Sequence, residues 1–174
     1  MRIAACVLVL LCAVAAGLAQ EAIVWSLERR LKREDFNGRV PVSASTASMS
    51  WIHIETEWEC KDGALEAMAR ATFDPSRSWF RRSQNPMELD IQLLEHEQLH
   101  FDIAEVAVRK IRASFQTFTS ACAEAGGTEP IQLIIARADR DLQEQQERYD
   151  RETAHGVNGR VQAQWKRRIG DQLK

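Results

Sequence analysis

Hydrophobic and polar positions alternate strictly along SMSWIHIETEWEC, the pattern of a β-strand with one buried face. One face carries Ile52, Ile54, Thr56 and Trp58, and the other carries Trp51, His53, Glu55, Glu57 and Glu59. Lys61-Asp62-Gly63 is a turn signal. The next segment, ALEAMARATFD, is rich in alanine but also alternates, so we predict a second strand that ends at Asp74-Pro75. The preceding stretch RVPVSASTAS is predicted to be a loop or an edge segment. The following stretch PSRSWFRRSQNP is predicted to be a polar loop.

Beyond residue 87 the apolar positions recur at three- and four-residue spacing, which indicates amphipathic helices. In the first helix, from Met87 to about Ala123, these positions are Leu93, Ile103, Ala107, Ile111, Phe115 and Phe118. Gly126-Gly127 ends that helix, and Glu129-Pro130 starts a second one that runs to about Thr153. A short third helix is predicted from Val157, Val161, Trp165 and Ile169. The expected fold class is α+β, with a small N-terminal antiparallel β-hairpin layer packed on a long antiparallel helical hairpin.

The first nineteen residues have the features of a secretory signal peptide: Arg2, an apolar run, and small residues before a cut near Ala19. The apolar run is short for a membrane span, so no stable membrane insertion is expected. We predict a single domain over residues 20–174 that is secreted or periplasmic. Cys60 and Cys122 remain after cleavage, and an oxidising compartment favours a disulfide between them; two separate thiols are the alternative.

The formal net charge of −2 gives no basis for general nucleic-acid binding. Arg77, Arg81 and Arg82 form a basic run that is more simply a solvated loop than an acidic-ligand patch. The oligomeric state is not encoded in any pattern of this chain.

The sequence HEQLH, residues 96–100, is an HExxH motif inside the first helix. His96 and His100 lie one turn apart on one helix face, where two imidazoles can bind one metal ion. They align with Leu93 and Ile103, so they are expected to face the core. Burying two unpaired imidazoles is costly, and a metal or tight polar partners would remove that cost. Glu97 is placed to act as the general base of a zinc hydrolase.

The third metal ligand is predicted from the helical hairpin. With equal rise in both helices, residue 100 lies level with about residue 153, which places His155 beside the motif. His155 could instead be a cation favoured by the helix C-terminus. His53 is predicted to face solvent. The same equal-rise argument brings Tyr149 and Asp150 near the site, and Asp150 is an alternative metal ligand. Tyr149 is a candidate donor to a developing oxyanion, with packing between helices as an equal alternative.

Two acids follow the second histidine. Glu105 would be a ligand only if the helix broke, and no breaker is present. Asp102 is expected on the helix surface, although either acid could hold an imidazole in place.

The blocks LLEHEQLHFDIAE, YDRETAHG and QAQW, with TFDPSRSWF ahead of them, resemble bacterial proteins described as predicted secreted zinc-dependent proteases, a domain family of unknown function. The resemblance covers roughly residues 24–170. It implies zinc, with His96 and His100 as ligands and Glu97 as base, and it draws attention to Tyr149, Asp150, Thr153 and His155 as a second motif. It supplies no substrate.

The leading hypothesis is therefore a secreted zinc-dependent metallohydrolase, a peptidase acting on a peptide or protein substrate. It would use His96, His100 and His155 as ligands, with Glu97 and Tyr149 as catalytic groups. A non-catalytic, metal-stabilised periplasmic binding module and an amidase of cell-wall peptides are the alternatives.

Overall fold

The computed structural model describes residues 21–62, 64–81, 87–116 and 129–174. Its strands are β1 (Ile23–Val24), β2 (Ser48–Met49), β3 (Ile52–Lys61), β4 (Ala64–Phe73) and β5 (Trp79–Phe80). Its helices are α1 (Met87–Gln116), α2 (Glu129–Thr153) and α3 (Gly159–Gln172), with a 3-10 turn at Arg33–Asp35. The predicted signal peptide and Cys122 lie outside the described residues, so the cleavage near Ala19 and the disulfide to Cys60 stay predictions.

The predicted β-hairpin is confirmed. β3 and β4 pair antiparallel from Ile52 opposite Phe73 to Lys61 opposite Ala64, and β1 pairs with the other side of β4. Ile52, Ile54 and Trp58 pack against the core, as the alternation predicted. The alanines of β4 serve close packing, because Ala69 and Ala71 are buried where the sheet meets α1.

The prediction of a polar loop over PSRSWFRRSQNP is wrong at its centre. Trp79 and Phe80 form β5, which pairs with β2 in a separate two-stranded sheet, and both side chains are buried. The surrounding arginines and serines indicated a polar loop, and a strand of two residues is too short to show an alternating pattern.

Helix α1 is the centre of the molecule. Phe101 contacts Phe73 of the sheet, with ring centroids 6.1 Å apart, while His96 and His100 contact Tyr149 on α2. Helix α3 packs against both α1 and α2. The helix that carries HExxH is therefore enclosed between a sheet and two helices, in the predicted α+β class.

The predicted bounds of α2 are close to the observed ones, whereas the predicted end of the first helix near Ala123 and at Gly126-Gly127 lies outside the described residues. α2 ends at Thr153, as expected, and Glu129-Pro130 begins it. Within the described ranges, none of the helices combines the length and apolar character that a membrane span requires.

Candidate metal centre and catalytic site

The HExxH motif faces the interior of the molecule. His96 and Glu97 are each 3% exposed, and the His100 side chain is 12% exposed. The rings of His96 and His100 lie 4.6 Å apart, as expected for one helical turn. The placement predicted from the helix projection is confirmed for both histidines.

Three potential ligand atoms converge in front of α1. The Nε2 atoms of His96 and His100 are 3.1 Å apart, and each lies 3.0 Å from Oδ1 of Asp150 on α2. Ligands of a tetrahedral zinc ion, bound at about 2.0–2.1 Å, are separated by about 3.3 Å. His96, His100 and Asp150 thus form a nearly equilateral set of the size that such an ion requires.

The hydrogen bonds of His100 fix a tautomer suited to metal binding. Its Nδ1 lies 2.5 Å from Oε1 of Gln146, whose Nε2 donates to the His100 carbonyl oxygen at 2.9 Å. Because an amide oxygen only accepts, Nδ1 carries the hydrogen, and Nε2 of the neutral ring presents a lone pair. That lone pair faces the Asp150 carboxylate, so a proton or a metal cation must lie between them. The donor set fits zinc.

The pKa shifts of the metal-free cluster also indicate a site that attracts positive charge. Burial opposes the charge of Asp150, but hydrogen bonds from His100 and His96 outweigh it and hold the pKa of Asp150 well below its usual range. Burial likewise lowers the pKa of His100, yet the bond to Asp150 and the charge of Glu97 bring the net pKa above the ordinary value. The cluster attracts positive charge strongly enough to overcome desolvation.

His155 lies at the edge of the cluster. Its Nδ1 is 3.5 Å from Oδ1 of Asp150, and its side chain is 61% exposed. The structure brings Asp150, one turn earlier, closest to the two motif histidines. It leaves His155 on the rim of the adjoining cavity, so the role of His155 as a metal ligand stays a prediction.

Tyr149 is enclosed by aromatic rings. It is fully buried, stacks on His96 with centroids 4.6 Å apart, and contacts Trp165 at 5.3 Å. Its hydroxyl donates to Gln162 at 3.4 Å, and burial with the nearby charge of Glu97 raises its pKa far above the usual range. Of the two alternatives, this position favours packing that holds the His96 ring; the catalytic role of Tyr149 stays a prediction.

Glu97 opens onto a cavity of about 610 Å³. Its Oε2 accepts a short hydrogen bond from the Ser50 hydroxyl, just after β2. The cavity is lined by His96, Glu97, His100, Gln146, Asp150, His155, Ala154, Val157, Leu93, Ile52 and the segment Ser45–Ser50. Glu97 and the cluster of His96, His100 and Asp150 therefore line one cavity.

The two remaining acids of the motif region serve other contacts. Asp102, expected on the surface, is buried and accepts hydrogen bonds from Trp25 at 2.9 Å and from Gln98 at 2.8 Å. Glu105 is paired with Arg109 and Arg112 in an unbroken helix. Asp102 was misplaced because α1 is buried on more than one side.

The prediction that His53 faces solvent is confirmed in part. Its side chain is 41% exposed, while Nε2 contacts the Thr72 hydroxyl at 3.0 Å and Glu55 at 3.4 Å. It lies on the sheet and is absent from the metal cluster and from the cavity lining. Ser50 and Gln146 are the site residues that sequence reasoning missed, because a serine and a glutamine carry no spacing signal.

The turn after α2 is shaped around the ligand cluster. Ala154, His155 and Gly156 all have positive φ, at 49°, 52° and 85°. A Cβ on Gly156 would lie 3.1 Å from Cβ and Cγ of His96. Gln92 donates to the Gly156 carbonyl oxygen at 2.5 Å. A left-handed turn of this kind is costly for non-glycine residues and is held by these contacts.

The fold and site define a class of protein: an α+β domain whose central helix presents HExxH toward an aspartate on the neighbouring helix. The model of a family described as bacterial protein of unknown function (DUF922) matches residues 16–156, and the chain belongs to this family. Searches of curated proteins and of solved structures find no match.

Proposed function

We propose that the protein is an exported zinc-dependent metallohydrolase that cleaves peptide bonds. The observation that carries this proposal is the convergence of Nε2 of His96, Nε2 of His100 and Oδ1 of Asp150 within 3.0–3.1 Å, beside an inward-facing Glu97. A site that only stabilises the fold would not need a carboxylate that opens onto a cavity next to its ligands.

His96, His100 and Asp150 are the proposed metal ligands. Zinc bound there would supply Lewis-acid chemistry, lowering the pKa of a water molecule and polarising a carbonyl group. Gln146 holds the His100 ring in its metal-binding tautomer. Tyr149 and Gly156 confine the ring of His96. These contacts fix the ligand atoms before any ion arrives.

Glu97 is the proposed general base. It takes a proton from the attacking water and passes it to the amine that leaves as the C–N bond breaks, so the proton is conserved through the cycle. Ser50 occupies one carboxylate oxygen, Oε2, and leaves the other for this transfer. His155 lies on the cavity rim with an exposed imidazole.

The ligand set is tested by elemental analysis of protein purified without chelator. We expect about one zinc per chain in wild type, a large loss in Asp150→Asn, and retention in His155→Ala. Loss in His155→Ala with retention in Asp150→Asn would assign the third ligand to His155. No zinc in wild type after zinc is supplied would reject the metal site.

The reaction is tested with Glu97→Gln, which conserves shape and removes the base. This variant should keep its zinc and lose peptide hydrolysis by orders of magnitude. Equal hydrolysis by variant and wild type would reject the mechanism. Zinc binding with no hydrolysis of any peptide by wild type would favour the metal-stabilised binding module instead.

A further inference from the structure

The segment Ser45–Ser50 forms one wall of the cavity beside Glu97. Its side chains are small apart from Met49, so backbone atoms make up much of this wall. β2 lies within the segment and has β5 on one side only. The other edge of β2 has no neighbouring strand in the described part of the chain.

The register decides where the backbone groups of this segment point. The N–H of Arg81 donates to the carbonyl of Ala47 at 2.7 Å, and Met49 is opposite Trp79. Hydrogen-bonded pairs alternate with non-bonded pairs in an antiparallel ladder, so Ala47 and Met49 bond to the β5 side. Ser48, between them, directs its N–H and C=O to the free edge.

Ser48 is only 7% exposed, yet its N–H and C=O have no hydrogen-bond partner among the described residues. Enclosed backbone groups are nearly always paired, because leaving them unpaired is costly. The N–H and C=O of Ser48 thus lie on the free edge of a strand that lines the cavity.

We propose that an extended polypeptide binds as an added strand along the free edge of β2, hydrogen-bonded to the N–H and C=O of Ser48. This inference rests on the proposed function and names its substrate class: unfolded stretches of L-polypeptide. Main-chain pairing of this kind recognises a peptide without selecting its sequence.

A peptide bound along β2 would extend toward Glu97. Ser50 ends the segment and donates to Glu97, two residues or about 7 Å along the strand from Ser48. Asp150 and His155 line the same cavity. A peptide paired with Ser48 would therefore share this cavity with the ligand cluster.

The experiment uses zinc-loaded Glu97→Gln protein, which should bind peptides without cutting them. The probe is a pool of random-sequence L-decapeptides, and the measurement is hydrogen exchange at the Ser48 amide. We expect exchange to slow at least tenfold with the pool. A second pool with N-methylated backbones lacks the N–H donors that the Ser48 carbonyl would accept from, and its methyl groups block the close approach of a paired strand, so it should give no protection.

A variant pair separates edge pairing from other effects. Ser48→Pro removes an N–H that makes no bond in the fold and should weaken binding of the pool at least tenfold. Val42→Pro places a proline on a fully exposed residue of the turn that precedes the segment and should bind as wild type. If Ser48→Pro misfolds by circular dichroism, the comparison of the two pools decides.

The outcomes distinguish the two proposals. Equal protection by both pools, or no protection in a protein that holds zinc, would overturn the added strand and leave the metallohydrolase standing. Wild-type protein that takes up no zinc would reject the proposed function itself.

Discussion

Ser50 is a small residue with a large expected effect on catalysis. Its hydroxyl is the side-chain partner of Oε2 of Glu97. Ser50→Ala frees the carboxylate to rotate, and loss of such an orienting bond typically costs about 10–100-fold in activity. We expect kcat for a peptide substrate to fall by about that factor while zinc content stays the same.

Ser45→Ala is the matched control, because Ser45 also lines the cavity but is exposed and makes no side-chain hydrogen bond in the described structure. It should leave kcat unchanged. A Ser50→Ala enzyme as fast as wild type would contradict the orienting role of Ser50.

The titration of His100 and Asp150 predicts how the stability of the metal-free protein depends on pH. Because the pKa of Asp150 is lowered in the folded state, Asp150 stabilises the fold fully above pH 3.8, its ordinary pKa, and this stabilisation is lost as the pH falls through the folded-state pKa. Because the pKa of His100 is raised, His100 stabilises the fold fully below pH 6.5, its ordinary pKa, and this stabilisation is lost as the pH rises through the folded-state pKa. Both contributions are complete only between these values.

Urea unfolding in chelator should therefore give a higher free energy of unfolding at pH 5 than at pH 8. Asp150→Asn should reduce the difference, since it removes the partner of His100. Zinc should reverse the trend, because it binds the deprotonated imidazole. A metal-free protein more stable at pH 8 than at pH 5 would contradict this account of the cluster.

The sequence located the motif histidines and brought Asp150 near them, but it favoured His155 over Asp150 as the third ligand. The equal-rise argument put residue 100 level with residue 153, whereas His100 contacts Gln146 and Asp150. The offset is about one helical turn, which is the uncertainty in where a loop centre falls between two helices. One turn is enough to exchange an aspartate for a histidine opposite the motif.

At the scale of elements, the left-handed turn after α2 governs the position of His96. Gly156→Ala adds a methyl group against the ring at a φ of 85°. We expect it to destabilise the fold by about 1–3 kcal/mol and to weaken zinc binding. The checks are urea unfolding and zinc titration.

Gly170→Ala provides the comparison. Gly170 lies inside α3, and a Cβ there meets nothing within 4 Å. Alanine is the better helix former, so this variant should gain about 0.5–1 kcal/mol with zinc affinity unchanged. Gly156→Ala that behaves like Gly170→Ala would show that the turn does not constrain His96.

Long periodic elements could be predicted and short ones could not. The β3–β4 hairpin and the helices α1 and α2 follow from alternation, three- and four-residue spacing, and turn residues. β2 and β5 contain two residues each, too few to display a period. The burial of Asp102 was unpredictable for a related reason: a helix covered on two sides no longer has one polar face.

At the scale of the molecule, zinc should join α1 to α2 and raise the stability of the whole domain. A ligand at 100 times its Kd stabilises by about 2.7 kcal/mol, roughly 5–10 °C in Tm for a domain of this size. Thermal unfolding with zinc and with chelator should differ by that amount in wild type. The difference should vanish in Asp150→Asn, and a Tm insensitive to zinc would contradict the proposed bridge.

The proposed ligands and the proposed base depend on contacts between distant parts of the chain: Ser50 bonds Glu97 across 47 residues, and His96 meets Asp150 across 54. During synthesis the ribosome releases the HExxH helix long before Asp150. A growing polypeptide therefore carries the motif without an assembled site, and hydrolytic competence would appear only once the second helix has emerged and docked. The order of synthesis would itself protect the producing cell from premature cleavage of its own nascent proteins.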